Sequence, residues 1–299
     1  MEQEKMPVGV IGLGAMGMGI AMSLLRKGFE VHVCDLRPDA VQRLVEAGGH
    51  RAESPAAMAK VVEVLITVVV TAEQTETVLF GEQGAAPHLK PGSVLIASAT
   101  VSPEFAQSLG KRLDELGVLM IDGPISGGAA KAMAGEMTIM SSGVPAAYAK
   151  CDPVLQAIAG KIYRLGDEVG PGSVVKMVNQ LLAGVHIAAA GEAMALAIRA
   201  GANPDQVYEV ITNSAGNSWM FQNRVPHILA GDYTPLSAVN IFIKDLSIVL
   251  DYAKKSVFPL PLSATAHQMY LQASAAGHGL EDDSAVIKNF PGIKLPAVK

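Results

Sequence analysis

Lys176, Asn179 and Gln180 stand at i, i+3 and i+4 with Ala183 at i+7, the spacing that places side chains on one helical face. A lysine and two amides near the start of an otherwise apolar helix can move and steer a proton. An amine accepts a proton from an alcohol when its pKa, near 10.4 in water, falls toward neutrality. Burial and a neighbouring positive charge both push it that way. A second reading stays open, in which Lys176 extends to the surface along its aliphatic stem and Asn179 is a local cap.

Gly12, Gly14 and Gly17 form a second chemical pattern, G-x-G-x-x-G, between an apolar strand at Val8–Ile11 and a helix from Met18 to Lys27. A strand from Glu30 to Cys34 follows and ends on Asp35. Gly12 permits the tight turn, Gly14 lets a pyrophosphate approach the backbone, and Gly17 lets helix and strand close up. The backbone of Leu13, Ala15 and Met16 then lines the phosphates at the helix start. Asp35 lies about 20 residues on, where a carboxylate accepts hydrogen bonds from ribose hydroxyls and repels a 2′-phosphate. This pattern predicts NAD as cofactor, in preference to NADP, although nearby Arg37 could tolerate the phosphate. The alternative is a glycine-rich turn with a structural aspartate.

The third pattern is Asp122–Gly135, DGPISGGAAKAMAG. Ser126, Gly127 and Gly128 precede a short helix, and consecutive backbone N–H groups there make an anion nest that fits a substrate carboxylate. It could also be a plain glycine-rich connection. Lys244 and Asp245 sit among apolar residues in IFIKDLSIVLD, either as a structural ion pair or with Lys244 reaching the cofactor. Trp219, the only tryptophan, reads as core by default. Asn217, Ser218 and Asn223 around it could instead face a polyol.

The elements that must position these residues alternate strand and helix through the first half. Val62–Val70, Ser93–Ala97 and Val118–Ile121 read as strands, and Ala72–Leu79 and Pro103–Leu116 as helices. Such alternation predicts a doubly wound, mostly parallel sheet, an α/β domain of the Rossmann type given its nucleotide motif. Ligands bind beyond the carboxyl ends of its strands, which directs Val70, Thr71 and Thr100 to the cofactor edge. Met137–Ser142 and Ile162–Leu165 read as strands extending the same sheet. After Gly170 the strand signals largely vanish. Ser173 reads as the N-cap of a helix of about 28 residues, roughly 42 Å long, and further helices follow. The expected division is 1–168 for dinucleotide binding and 169–299 as an all-helical substrate and oligomerisation domain, joined by the long helix.

The chain has 299 residues, half of them hydrophobic and 17% charged, with a net charge of −5. A large core is within reach, and scattered basic residues argue against nucleic acid or an anionic membrane surface. Cys34 and Cys151 make no disulfide framework or metal pattern, which suits a reducing cytoplasm. No signal peptide is evident at the N-terminus, and the run Val64–Val70 is too short to span a bilayer. No metal is expected. About 100 residues cannot cover so apolar a helix, so a homodimer or homotetramer is expected.

GLGAMGMGIA, DGPISGG, GPGSVVKMVNQ and IFIKDLSIVLD occur in this order over nearly the whole chain. Together they resemble the β-hydroxyacid dehydrogenase family. The resemblance implies that Lys176 is the catalytic lysine and that Asn179 assists it. It also implies that Ser126, Gly127 and Gly128 hold the substrate carboxylate, and that Thr100 and Lys244 touch the cofactor. Gly123 and Ile125 depart from the commoner residues of the substrate loop, and Ser98-Ala99-Thr100 from the usual run of hydroxyl residues. Imine reductases share this architecture but generally lack the lysine. A non-catalytic cofactor-binding protein would lack Lys176 or the Ser-Gly-Gly loop. The polar set near Trp219 suggests a four-carbon polyhydroxy acid as substrate.

Overall fold

The computed structural model describes residues 6–297. The chain divides into two compact units, the first running through Lys176 and the second from Met177.

In the first unit β1 (Pro7–Ile11), α1 (Ala15–Arg26), β2 (Glu30–Cys34), α2 (Pro38–Glu46), β3 (His50–Arg51), α3 (Pro55–Ala59), β4 (Val64–Thr67), α4 (Ala72–Phe80), β5 (Val94–Ala97), α5 (Pro103–Asp114) and β6 (Leu119–Asp122) alternate as the pattern requires. The strands form one sheet in the order β3-β2-β1-β4-β5-β6, and every neighbouring pair is parallel. Chain order reverses between β1 and β4, so the crevice for a ligand lies at their carboxyl ends. β4 and β5 are buried at every position, as central strands covered on both faces must be. Val64 and Ile66 pack into one core and Leu65 into another, which follows from the two-residue period of side-chain direction. β4 is shorter than the expected Val62–Val70. Val68, Val69 and Val70 have strand-forming side chains, but the chain leaves the sheet at Val68 to reach the cap of α4, and Val70 is exposed.

The remaining elements of this unit are β7 (Ile125–Ser126), α6 (Gly128–Ala134), β8 (Met137–Ser141), α7 (Pro145–Ile158), β9 (Ala159–Arg164) and the first turns of α8 (Pro171–Arg199). Contrary to expectation, β8 and β9 do not extend the main sheet. They join β7 in a separate three-stranded sheet, with β7–β8 antiparallel and β8–β9 parallel. A single bridge, Asp122 to Ser142, links the two sheets. α6 lies close on α1. A Cβ on Gly19 would fall 2.6 Å from the Met133 nitrogen, so only glycine permits that approach.

The second unit is all-helical among its described residues: the rest of α8, then α9 (Pro204–Thr212), α10 (Trp219–Ala230), α11 (Val239–Lys255), α12 (Pro261–Ala273) and a short 3-10 segment, Asp283–Asn289. Gly184 lets Phe242 and Leu246 of α11 approach α8 closely. Phe242 stacks on Tyr270, whose hydroxyl donates to the Gly184 carbonyl at 2.8 Å. Arg224 and Asp283 form a buried ion pair at 2.6 Å. By length and composition α8 could cross a bilayer, yet its Ser173, Lys176 and Gln180 are buried and hydrogen-bonded within the protein. Its Val175, Val178 and Leu182 are exposed on the single chain.

Candidate active site

The glycine turn is built by contact. Gly12 has φ +94°, and a Cβ there would lie 2.6 Å from the Val68 carbonyl oxygen. A Cβ on Gly17 would sit 1.8 Å from the Gly12 oxygen, whereas one on Gly14 would meet nothing within 4 Å. Gly14 therefore borders open space at the start of α1, where no side chain caps the helix. Ala15 is exposed and Met16 half-buried beside it. Helix-start N–H groups with no side-chain cap, over a side-chain-free cradle, fit a pyrophosphate. The Leu13 N–H donates to Asp35 Oδ2 at 2.5 Å, and the Arg37 N–H and Nε donate to Oδ1 at 2.8 and 3.1 Å. Arg37 Nη2 also donates to the Leu13 carbonyl at 2.7 Å. Burial works against the charge on Asp35, but the bonds from Arg37 and Leu13 outweigh it and hold this carboxyl below its ordinary range.

At the ends of β4 and β5, Val70 is exposed and donates its N–H to Gln74 Oε1 at 2.8 Å. Thr71 caps α4: its hydroxyl accepts from the Gln74 N–H at 3.1 Å, and its own N–H donates to the Gln74 side chain. Thr100 is half-buried beyond β5.

Ser126 ends β7, and Gly127 and Gly128 follow with φ of +135° and +77°. Lys176 reaches this loop. It is 7% exposed, and its Nζ donates to the Ile125 carbonyl at 2.9 Å. The amine and the residue before Ser126 are therefore in direct contact, and Lys176 does not snorkel to the surface.

Ser173 is not the N-cap, because α8 begins at Pro171. Its hydroxyl donates to Asp122 Oδ1 at 2.7 Å and its N–H donates to Oδ2 at 2.8 Å. An external carboxylate satisfies the helix start and leaves the serine with a donor's role. Asp122, to which no motif assigns this role in the sequence, holds the helix start. Its signal was an acid closing a buried strand immediately before the loop.

In the second unit the Asn179 amide donates to Gln180 Oε1 at 2.9 Å, Gln180 Nε2 donates to Asp245 Oδ2, and Lys244 pairs with Asp245 Oδ1 at 2.7 Å. Asp245 is 2% exposed, and it joins the amide pair to the lysine. Trp219 is not core: it opens α10 with 60% of its surface exposed. The three polar residues around it have different bonding partners within the protein. Ser218 caps α10 by accepting from the Phe221 N–H at 3.0 Å, and Asn223 accepts from Arg224. The Asn217 amide donates to the Thr212 carbonyl at 3.1 Å, and its buried Oδ1 has no partner among the described residues.

Known proteins resemble this chain over nearly its whole length. Residues 7–166 match the profile of the NAD-binding domain of 6-phosphogluconate dehydrogenase. Residues 170–290 match the NAD-binding profile of NADP-dependent 3-hydroxyisobutyrate dehydrogenase. The chain is 65% identical to an L-threonate dehydrogenase of Cupriavidus necator over 97% of both chains. It is 53% identical to one from Escherichia coli, over 98% of this chain and 97% of that one. A solved structure of 3-hydroxyisobutyrate dehydrogenase from Salmonella typhimurium superposes with a TM-score of 0.92 at 52% identity, over 96% of this chain and all of the other. With both halves matched in order, the chain belongs to the β-hydroxyacid dehydrogenase family and is a nicotinamide-dependent dehydrogenase of a small hydroxy acid.

Proposed function

We propose that the substrate is L-threonate, oxidised at the carbon beside its carboxylate to the 2-oxo acid, with NAD as the acceptor. The carrying observation is full-length identity of 51–65% to five proteins named L-threonate dehydrogenase. A second reading, 3-hydroxyisobutyrate, follows from the name of the Salmonella structure.

NAD supplies the hydride acceptor when bound. The glycine turn from Gly12 to Gly17 holds its pyrophosphate and Asp35 its ribose, with Val70, Thr71 and Thr100 along the same edge. Ser126, Gly127 and Gly128 receive the substrate carboxylate. Lys176, already against this loop, accepts the hydroxyl proton in oxidation and returns it in reduction. Asn179, held by Gln180, orients the reacting oxygen, and Lys244, held by Asp245, serves the cofactor. Trp219 and Asn217 serve substrate binding.

The first unit binds the cofactor, and the second serves substrate binding and oligomerisation. The exposed Val175, Val178 and Leu182 of α8 support a homodimer or homotetramer. Free thiols at Cys34 and Cys151 suit a cytoplasmic setting. Lys176→Ala tests the reading. NAD affinity by fluorescence is expected to stay within about twofold, while turnover falls by ~10²–10⁴. A variant keeping more than about a tenth of the wild-type kcat removes Lys176 from proton transfer.

A further inference from the structure

We propose that Asp122 is a positioning residue: its buried carboxylate clamps the first turn of α8 and so sets where Lys176 stands against the Ser126–Gly128 loop. The proposal rests on the reading of Lys176 as the proton-transfer group.

Asp122 closes β6 and is 2% exposed. Its backbone exchanges two hydrogen bonds with Ser142, both at 2.9 Å, so the residue is fixed before its side chain acts. The carboxylate then gathers donors from the start of α8. Ser173 Oγ reaches Oδ1 at 2.7 Å, and the N–H groups of Ser173 and Gly170 reach Oδ2 at 2.8 and 3.1 Å. Ser142 Oγ reaches Oδ2 at 3.4 Å and accepts from the Gly172 N–H at 3.0 Å. The first N–H groups of a helix have no partner inside it, and the helix dipole favours an anion there. Asp122 and Ser142 satisfy three of these groups with side chains from outside the helix. A Cβ on Gly172 would come within 2.6 Å of the carbonyl oxygens of both Asp122 and Met140. The helix start is thus pressed on the strand ends with no room for a side chain.

Lys176 lies three residues beyond Ser173, and Ile125 lies three residues beyond Asp122. The Lys176–Ile125 bond at 2.9 Å is therefore a second rung, parallel to the Ser173–Asp122 rung. The two rungs lock the loop that carries Ser126 to the turn that carries the amine. Burial pushes the Asp122 carboxyl above its ordinary range, while the donors from Ser173, Gly170 and Ser142 oppose the shift. Removing those donors exposes the full cost of a buried charge, which is why the acid and the helix start act as one piece.

A cap that only stabilises changes how much enzyme is folded. A clamp that positions changes the reaction in the folded enzyme, because a displacement of about 1 Å can cost ~10² in rate. The test uses the full chain with L-threonate and NAD, comparing Asp122→Asn, Ser173→Ala and Lys176→Ala with wild type. Rates are normalised to the folded fraction. Asp122→Asn is expected to lower kcat by ~10–10² with NAD affinity within about twofold. Its solvent deuterium isotope effect on kcat is expected to rise, as proton transfer becomes the slow step. Ser173→Ala moves both quantities the same way by less. Unchanged normalised kcat and isotope effect in Asp122→Asn overturn the proposal. If that variant does not fold, the same result in Ser173→Ala overturns it. Retained turnover in Lys176→Ala instead overturns the reading of the lysine itself, and the clamp with it.

Discussion

The Leu13 N–H donates to the Asp35 carboxylate at 2.5 Å, so the turn after β1 and the acid after β2 form one unit. Arg37 closes it from the other side, bound to the Asp35 carboxylate and to the Leu13 carbonyl. Asp35 stays ionised at physiological pH, because its carboxyl is held below the ordinary range. The guanidinium is committed to these partners.

A 2′-phosphate would face a fixed negative charge here, so kcat/KM with NAD is expected to exceed that with NADP by at least ~10-fold, a difference of about 1.4 kcal/mol. Asp35→Ser frees Arg37 and narrows the ratio. Equal values for the wild-type enzyme would make Arg37, not Asp35, the determinant.

Gly14 and Gly17 separate two uses of glycine in one motif. Gly14 has φ −57°, which any residue adopts, and its Cβ would meet nothing. Gly14→Ala is expected to keep the melting temperature within about 2 °C of wild type and to weaken NAD at least ~10-fold, because the methyl occupies the cradle. Gly17→Ala sets a methyl 1.8 Å from a carbonyl oxygen and is expected to unfold or strongly destabilise the first unit. Equal melting temperatures for the two variants would refute this division.

How far the chain could be read depended on whether a signal was local. The parallel sheet, the glycine turn and the helical second half were legible, because strand–helix alternation and short motifs repeat within a few residues. The separate sheet of β7, β8 and β9 was not, since β-rich segments look alike whichever sheet they join. The reach of Val62–Val70 was overestimated for a related reason: Val68–Val70 have β propensity, but Thr71 and Gln74 build a capping box that pulls the chain out of the sheet. Lys176 was visible by type and spacing. The long-range bonds near it were not, since Lys176 meets Ile125 across 51 residues, Asp122 meets Ser173 across 51 and Asp245 meets Gln180 across 65. The size of Trp219 argues for burial, while its place at the start of α10 leaves it open.

Asp283 offers a pH test of the second unit. Burial pushes its carboxyl up to about 6, with Arg224 opposing the shift. The unfolded value is about 3.9. Between these values the folded chain binds a proton that the unfolded chain does not. This group's contribution to stability therefore grows as pH falls through 6 and is lost as pH rises above it. Carboxyl-carbon NMR of the folded protein is expected to show Asp283 titrating with a midpoint near 6. A midpoint at or below about 4 would mean that the Arg224 pair outweighs burial.

The last prediction concerns the substrate. L-Threonate carries hydroxyls where 3-hydroxyisobutyrate carries a methyl-bearing carbon, so the two acids differ in what they ask of the site's polar groups. A site built to bond hydroxyls rejects an analogue lacking them, because its own buried groups are left unpaired. Asn217 offers such a group, since its buried Oδ1 has no partner among the described residues while its amide is tied to Thr212. L-Threonate is expected to exceed 3-hydroxyisobutyrate by at least ~100-fold in kcat/KM, read as reduced-cofactor absorbance across a panel that includes glycerate, 4-hydroxybutyrate and other four-carbon sugar acids. Asn217→Ala is expected to narrow the gap by lowering threonate turnover while leaving 3-hydroxyisobutyrate unchanged. Asn223 is engaged by Arg224, so its substitution is expected to act on the Arg224–Asp283 pair and on stability, not on this ratio. If 3-hydroxyisobutyrate turns over best, the substrate assignment fails while membership of the family stands, and the unfilled Asn217 oxygen has no part in selecting the acid.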